Sequence, residues 1–228
     1  MQFNLPGSRA IQDDEFLRLL EATRENEKYY LLFLLARLTG MRISEIRLLR
    51  FKHITKDYII IPALKGSNPR VFETPDLIRE YFFKESGPDV LKVYKKQGLI
   101  KKGHREKFIF LSRNQKKYRK GFRPGNIPLT ARSISKMFKT FVNFAQIMSY
   151  INENLSFHAF RKAFVKDIWK ICKGDIYKTM EYTGHKDPKS LLHYLRNSNV
   201  KSLNKISEKN LHYYNYPFTF CRIYIFSE

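Results

Sequence analysis

Thr39-Gly40-Met41-Arg42-Ile43-Ser44-Glu45-Ile46 is the stretch on which the reading of the fold turns. Upstream of it, Lys28 to Leu38 is apolar nearly all round, which predicts a helix buried on every side rather than a surface one. Thr39-Gly40 ends that helix, because glycine accepts the left-handed conformation that closes a last turn. A short helix restarts at Ile43 or Ser44 and runs to about Leu49. Arg42 and Glu45 lie three residues apart, so they share a helix face. Taken alone they read as an ordinary i,i+3 ion pair.

Working outward, Ile11 to Thr23 predicts a first helix with Asp13 as N-cap, acids in its first turn, and Phe16, Leu19 and Leu20 on one apolar face. The period then changes. Tyr58-Ile59-Ile60-Ile61 is β-branched and aromatic, Lys65-Gly66-Ser67-Asn68-Pro69 is a turn, and Arg70 to Thr74 returns as a second strand. Pro75-Asp76 opens a helix through about Lys84. Phe108 to Leu111 reads as a short buried strand, and Thr130 caps a helix from Ala131 to about Phe144. Further helices are expected over Phe157 to Ile171 and over Asp175 to Tyr182, the latter ending at Gly184. Another starts at Asp187-Pro188, an N-cap followed by proline at the first helical position, and contains Tyr194. Ser198 to Leu211 reads as a helix polar on one side, and Tyr213 to Phe226 as an aromatic tail. The expected fold is mainly α with a small β-hairpin or three-stranded antiparallel sheet.

The 228 residues carry 43 Lys+Arg against 21 Asp+Glu, a formal charge of +22. Such a surplus repels itself in the compact state and points to a polyanionic partner, with nucleic acid favoured over a membrane surface. Apolar residues are frequent enough, at 43%, to build a real core, and no run reaches the ~18 residues of a membrane span. The N-terminus has no secretory pattern, and Cys172 and Cys221 make neither a disulfide framework nor a four-ligand zinc site, so a reducing cytoplasmic setting is expected. From Lys92 to Arg123 there are 13 basic residues and one acid, Glu106. Within that run Lys116, Lys117, Arg119, Lys120 and Arg123 are candidate DNA contacts, and Tyr94, Tyr118 and Phe122 could stack on bases. The plainer alternative is a solvated surface loop.

Several chemistries drop out. Gly98 to Gly103 lacks the Lys-Ser/Thr of a phosphate loop, HExxH and GxSxG are absent, and the acids are not grouped to hold two magnesium ions. No cofactor is expected. What remains is a set of cations, histidines and one tyrosine at turns and helix starts: Arg42, the hairpin Lys65, His158-x-x-Arg161, and Gly184-His185 followed nine residues later by Tyr194. Each has a dull reading of its own, as a core histidine, a turn lysine or a packing tyrosine.

In order and spacing the set resembles the tyrosine recombinase (lambda-integrase-like) family over roughly Leu5 to Arg196, the family's catalytic domain. The resemblance implies that fold and a site-specific DNA recombinase working through a 3′-phosphotyrosine. Tyr194 would be the nucleophile, and Arg42 and Arg161 would clamp the scissile phosphate. Lys65 would protonate the leaving 5′ oxygen, His158 would assist proton transfer, and His185 would hold a phosphate oxygen. Glu45 would have a supporting rather than catalytic role, orienting Arg42 or tying down its helix. The chemistry is coherent. Two permanently charged guanidiniums suit the charge that gathers on non-bridging oxygens and need no metal. A phenol, with a reference pKa of ~10, needs a base and a positive field to attack.

The resemblance also implies a homotetramer assembled on DNA, with accessory DNA-binding proteins as further partners. Relatives usually carry a separate N-terminal DNA-binding domain; here the first helix already reads as catalytic domain, so a naturally short member or a catalytic fragment is expected, with residues 197–228 as an appended helix and tail exchanged between subunits or packed in cis. Two positions depart from the family pattern: Lys162 stands where histidine commonly follows the second arginine, and Tyr-Thr-Gly-His stands where Leu-Gly-His is frequent. A nicking-closing enzyme of the type IB topoisomerase kind and an idle DNA-binding accessory factor are the alternative functions.

Overall fold

A computed structural model describes residues 8–64, 67–83, 106–115, 121–122, 125–145 and 155–195. Its described part is mainly helical. Helix α1 (Asp13–Ala22) and α2 (Glu27–Thr39) are followed by the short α3 (Ile43–Arg47), a 3-10 turn (Phe51–His53) and the hairpin β1 (Tyr58–Ile61) and β2 (Arg70–Glu73). Then come α4 (Asp76–Phe83), α5 (Ala131–Phe144), α6 (His158–Ile171), α7 (Ile176–Thr183) and α8 (Pro188–Leu195).

The all-apolar α2 is the centre of the molecule. Leu31 to Ala36 are each at most 1% exposed, as expected for a helix packed on several sides. It lies against α6, with α1 and α3 also in contact. Between them sits an aromatic cluster. Phe33 meets Phe138 edge-on with ring centres 5.8 Å apart, and Phe160 lies 5.4 Å from Phe138 and 5.3 Å from Phe157. Such pairs add ~0.5–1.5 kcal/mol each beyond their buried area. Phe157 and Phe160 flank His158, so the cluster fixes where the first turn of α6 enters the site. The chain leading into α1 ties the same point from outside: Ser156 N–H donates to Ser8 Oγ (2.8 Å).

Helix stops and starts follow local chemistry. Gly40 (φ 59°) and Gly184 (φ 66°) close α2 and α7 in the left-handed conformation. Thr130 Oγ1 accepts the Ser133 N–H (3.0 Å), and Asp187 Oδ1 accepts the Ser190 N–H (2.9 Å). The first helix differs from expectation. Its N-cap is Gln12 rather than Asp13, because the Glu15 carboxylate accepts the Gln12 N–H (2.8 Å) and is itself held by Arg9, which pins the turn one residue earlier.

The sheet has two antiparallel strands among the described residues, in the register Tyr58 to Glu73, Ile59 to Phe72, Ile60 to Val71 and Ile61 to Arg70. Ile59, Ile61, Phe72 and Arg70 face inward, whereas Tyr58, Ile60 and Val71 face out. Phe108 to Leu111 is fully buried as expected but forms no strand. Its ends make single bridges, Phe108 to Arg50 and Leu111 to Pro128. Each bridge rests on two backbone hydrogen bonds, from Phe51 N–H to the Lys107 carbonyl and Ile109 N–H to the Leu49 carbonyl on one side, and from Leu129 N–H to the Phe110 carbonyl and Ser112 N–H to the Ile127 carbonyl on the other, and neither continues into a ladder. The helix expected over Ser198 to Leu211, the aromatic tail and the basic residues Lys116, Lys117, Arg119, Lys120 and Arg123 lie outside the described residues, as does Lys65.

Candidate active site

Five of the six sequence-predicted residues are described, and three of them meet around a fourth, Tyr194. Tyr194 is carried by α8, which a small apolar cluster of Val165, Leu191 and Leu195 seats against α6, with Trp169, Ile176 and Met180 packed beside it. The Tyr194 ring centre lies 5.1 Å from that of His158 and 5.0 Å from that of His185. It is 5.7 Å from the guanidinium carbon of Arg161, within cation–π reach. These residues come from the start of α6, its second turn, the turn after α7, and α8.

Arg161 is 1% exposed. Its Nη1 donates to the Gly40 carbonyl (2.8 Å), and its Nη2 donates to the Thr183 carbonyl (2.8 Å) and faces His185 Nε2 (3.2 Å). The two left-handed turns at Gly40 and Gly184 thus supply the carbonyls that aim this arginine. Its Nε is buried without a partner. Burial, together with repulsion from Arg42 and Arg70, lowers the guanidinium to about 10, still cationic at neutral pH.

Arg42 is different. It precedes α3, where its backbone N–H donates to Glu45 Oε2 (2.7 Å) and its Nη1 approaches Glu45 Oε1 (3.3 Å). Its side chain is 26% exposed and borders an open cleft of about 320 Å³ that Ser44, Ser135, Ser156 and His158 also line.

Glu45 links Arg42 to a residue the sequence did not single out. Arg70 Nη2 donates to Glu45 Oε2 (2.9 Å) and Nη1 to Oε1 (3.4 Å), both side chains being almost wholly buried. Burial alone would raise the Glu45 carboxyl, but Arg70 and the Arg42 N–H hold it at about 2. Arg70 also donates to the Thr183 carbonyl (3.3 Å), and a Cβ at Gly184 would lie 2.9 Å from the Arg70 Cδ. The signal was present in the alternation of β2: Arg70 has the parity of the inward-facing Phe72, and a charge on a core face needs a buried counter-charge.

The histidines are both held neutral. His185 is 2% exposed, and burial plus the charges of Arg161, Arg42 and Arg70 depress it to about 3. His158 stays open to solvent on one side, yet loss of hydration around its base and the cations Arg161, Lys162 and Arg42 hold it at about 4. Lys162 is buried at 4% exposure, which lowers its amine. The arrangement sets a phenol among fixed cations and uncharged imidazoles, a field suited to an oxyanion. No group of three or more potential metal ligands occurs among the described residues, and no described helix is long and apolar enough to cross a membrane.

The sequence profile of the phage integrase family matches residues 9–201. The chain belongs to the phage integrase family. Solved structures agree with that assignment at the level of fold. XerA recombinase superposes with a TM-score of 0.62 at 16% identity, covering 92% of this chain and 68% of its own. XerH site-specific recombinase, bound to palindromic difH substrate in a post-cleavage complex, gives 0.60 at 18%, covering 86% and 53%. A lambda integrase tetramer bound to a Holliday junction gives 0.53 at 17%, covering 82% and 48%. The chain therefore spans about half the length of the last two. No curated protein sequence matches it. The fold expected from the resemblance, a tyrosine recombinase catalytic domain of the phage integrase kind, is the fold found.

Proposed function

We propose that this phage integrase family member is a site-specific DNA recombinase that cuts and rejoins strands through a 3′-phosphotyrosine. One observation carries the reading: Tyr194, His158, Arg161 and His185, drawn from separate turns and helices, converge with ring and guanidinium centres 5.0–5.7 Å from the tyrosine. The Tyr194 oxygen attacks phosphorus in line, the 5′ oxygen leaves, and the phosphodiester energy is kept in the new ester, so religation needs no nucleotide. Arg42, accessible from the cleft, and Arg161, fixed behind the tyrosine, supply charge to the non-bridging oxygens. His158, neutral and beside the phenol, is suited to take its proton. Lys65 protonates the leaving oxygen, and His185 contributes at the phosphate or through Arg161.

The substrate is double-stranded DNA, to which the charge of +22 and the basic run ending at Arg123 give a salt-sensitive affinity. Strand exchange between two sites calls for four copies assembled on DNA, the arrangement named for lambda integrase on a Holliday junction.

The test uses a nicked suicide substrate from which the short cleaved strand diffuses away. Wild type is expected to accumulate a covalent protein–DNA adduct, and Tyr194→Phe to form none while binding DNA with unchanged affinity. An adduct formed equally by Tyr194→Phe would refute the nucleophile assignment.

A further inference from the structure

Thr183, the last residue of α7, is completely buried and uses both of its oxygens on the site. Its carbonyl accepts from Arg161 Nη2 (2.8 Å) and from Arg70 Nη1 (3.3 Å). Its hydroxyl lies 2.7 Å from the Thr179 carbonyl and 2.6 Å from His185 Nδ1. A hydroxyl has a single proton, and a carbonyl oxygen can only accept. The Thr183 proton therefore goes to Thr179, and Thr183 Oγ1 must accept at its other contact. That places a proton on His185 Nδ1.

The far side of the ring gives the same answer independently. His185 Nε2 faces Arg161 Nη2 at 3.2 Å, and a guanidinium nitrogen only donates. Nε2 must then offer a lone pair. The two contacts are compatible with one state alone, the neutral ring with its proton on Nδ1. The neighbouring cations and burial act in the same direction, against a second proton.

We propose that Thr183 is a positioning residue that fixes the tautomer of His185 in the DNA-free protein, so that His185 accepts a hydrogen bond from Arg161 and holds that guanidinium in place. Thr179 carbonyl, Thr183 hydroxyl, His185 ring and Arg161 guanidinium form one directed chain, each link fixing the sense of the next. The sequence carries the determinant: threonine occupies the position before Gly184-His185, where leucine, frequent in the family, has no oxygen to offer.

The tautomer is read by 15N-histidine NMR of the full chain, in which ring nitrogens with and without a proton differ widely in shift. Of six histidines, His185 is identified by the signal lost in His185→Asn. Wild type is expected to show the proton on Nδ1 and a bare Nε2 at pH 7. Thr183→Val, close in shape but without the hydroxyl, should lose that pattern, and Thr183→Ser should keep it. A wild-type proton on Nε2, or an unchanged pattern in Thr183→Val, overturns the proposal, and the wild-type and serine spectra decide the matter if the valine variant does not fold. The functional arm rests on the recombinase reading: suicide-substrate cleavage by Thr183→Val should fall by up to about 100-fold with DNA affinity intact and return in Thr183→Ser. Cleavage by Thr183→Val at the wild-type rate would overturn the positioning role. A wild type that cleaves nothing would break the recombinase reading and leave the tautomer assignment standing.

Discussion

Arg42 and Arg161 bring the same side chain to one site, and their surroundings are opposite. Arg161 is sunk between two helix-ending turns, with three acceptors arranged around its guanidinium and Tyr194 across its face. Arg42 stands at the mouth of the cleft with one carboxylate beside it. The buried arginine is braced by the frame of the site, while the partly exposed one borders the cleft. Of the two arginines expected to clamp the scissile phosphate, one is thus sunk in the frame of the site and the other is reachable from the cleft.

The largest effect is expected at Glu45, which lies on the boundary between the two regions. Glu45→Ala leaves Arg70 charged, buried and unpaired, a change that costs about 3–5 kcal/mol. Urea denaturation reads it, and a loss below about 1 kcal/mol would mean that the pair does not hold the hairpin to α3. Next is the contrast itself. Arg161→Met strips the Gly40 and Thr183 carbonyls of a charged donor and should cost at least about 2 kcal/mol. Arg42→Met, removing a partly exposed cation from a Glu45 that Arg70 still pairs, should cost less than about 1 kcal/mol while abolishing cleavage. Equal destabilisation of the two variants would erase the distinction.

A smaller effect concerns acid. His185 and His158 are depressed in the folded protein to about 3 and about 4, so below the unfolded value of ~6.5 the unfolded chain binds more protons. Stability present above ~6.5 is lost as pH falls through the folded values. His185, being buried, contributes most, and His158, open to water, less. Glu45, depressed to about 2, adds its own loss below the ordinary carboxylate range. The Tm should therefore fall steadily from pH 7 to pH 4; a Tm that is flat or rises on acidification would contradict the neutral imidazoles.

Much of this was legible in the sequence because it depends on local rules. Gly40 and Gly184 stop helices, Thr130 and Asp187-Pro188 start them, and the all-apolar Lys28 to Leu38 had to be buried. The spacing of His158 and Arg161 placed both on α6, but not the difference in depth between them, which the aromatic cluster around Phe160 sets. Phe108 to Leu111 has the composition of a strand, and only tertiary neighbours decide whether a ladder forms. Arg70 and Thr183 were missed for the same reason. Their roles depend on Glu45 and His185 arriving from other elements, and a buried arginine or threonine has no periodic signature beyond the parity of β2.

In the proposed reaction the Tyr194 oxygen becomes bonded to phosphorus. The most direct measurement traps the adduct on a nicked DNA site, digests both components, and locates the nucleotide-bearing peptide by mass spectrometry. A 3′-phosphoryl link on Tyr194 and a free 5′-hydroxyl on the released strand are expected. A link to any other residue, or to the 5′ end, would contradict it.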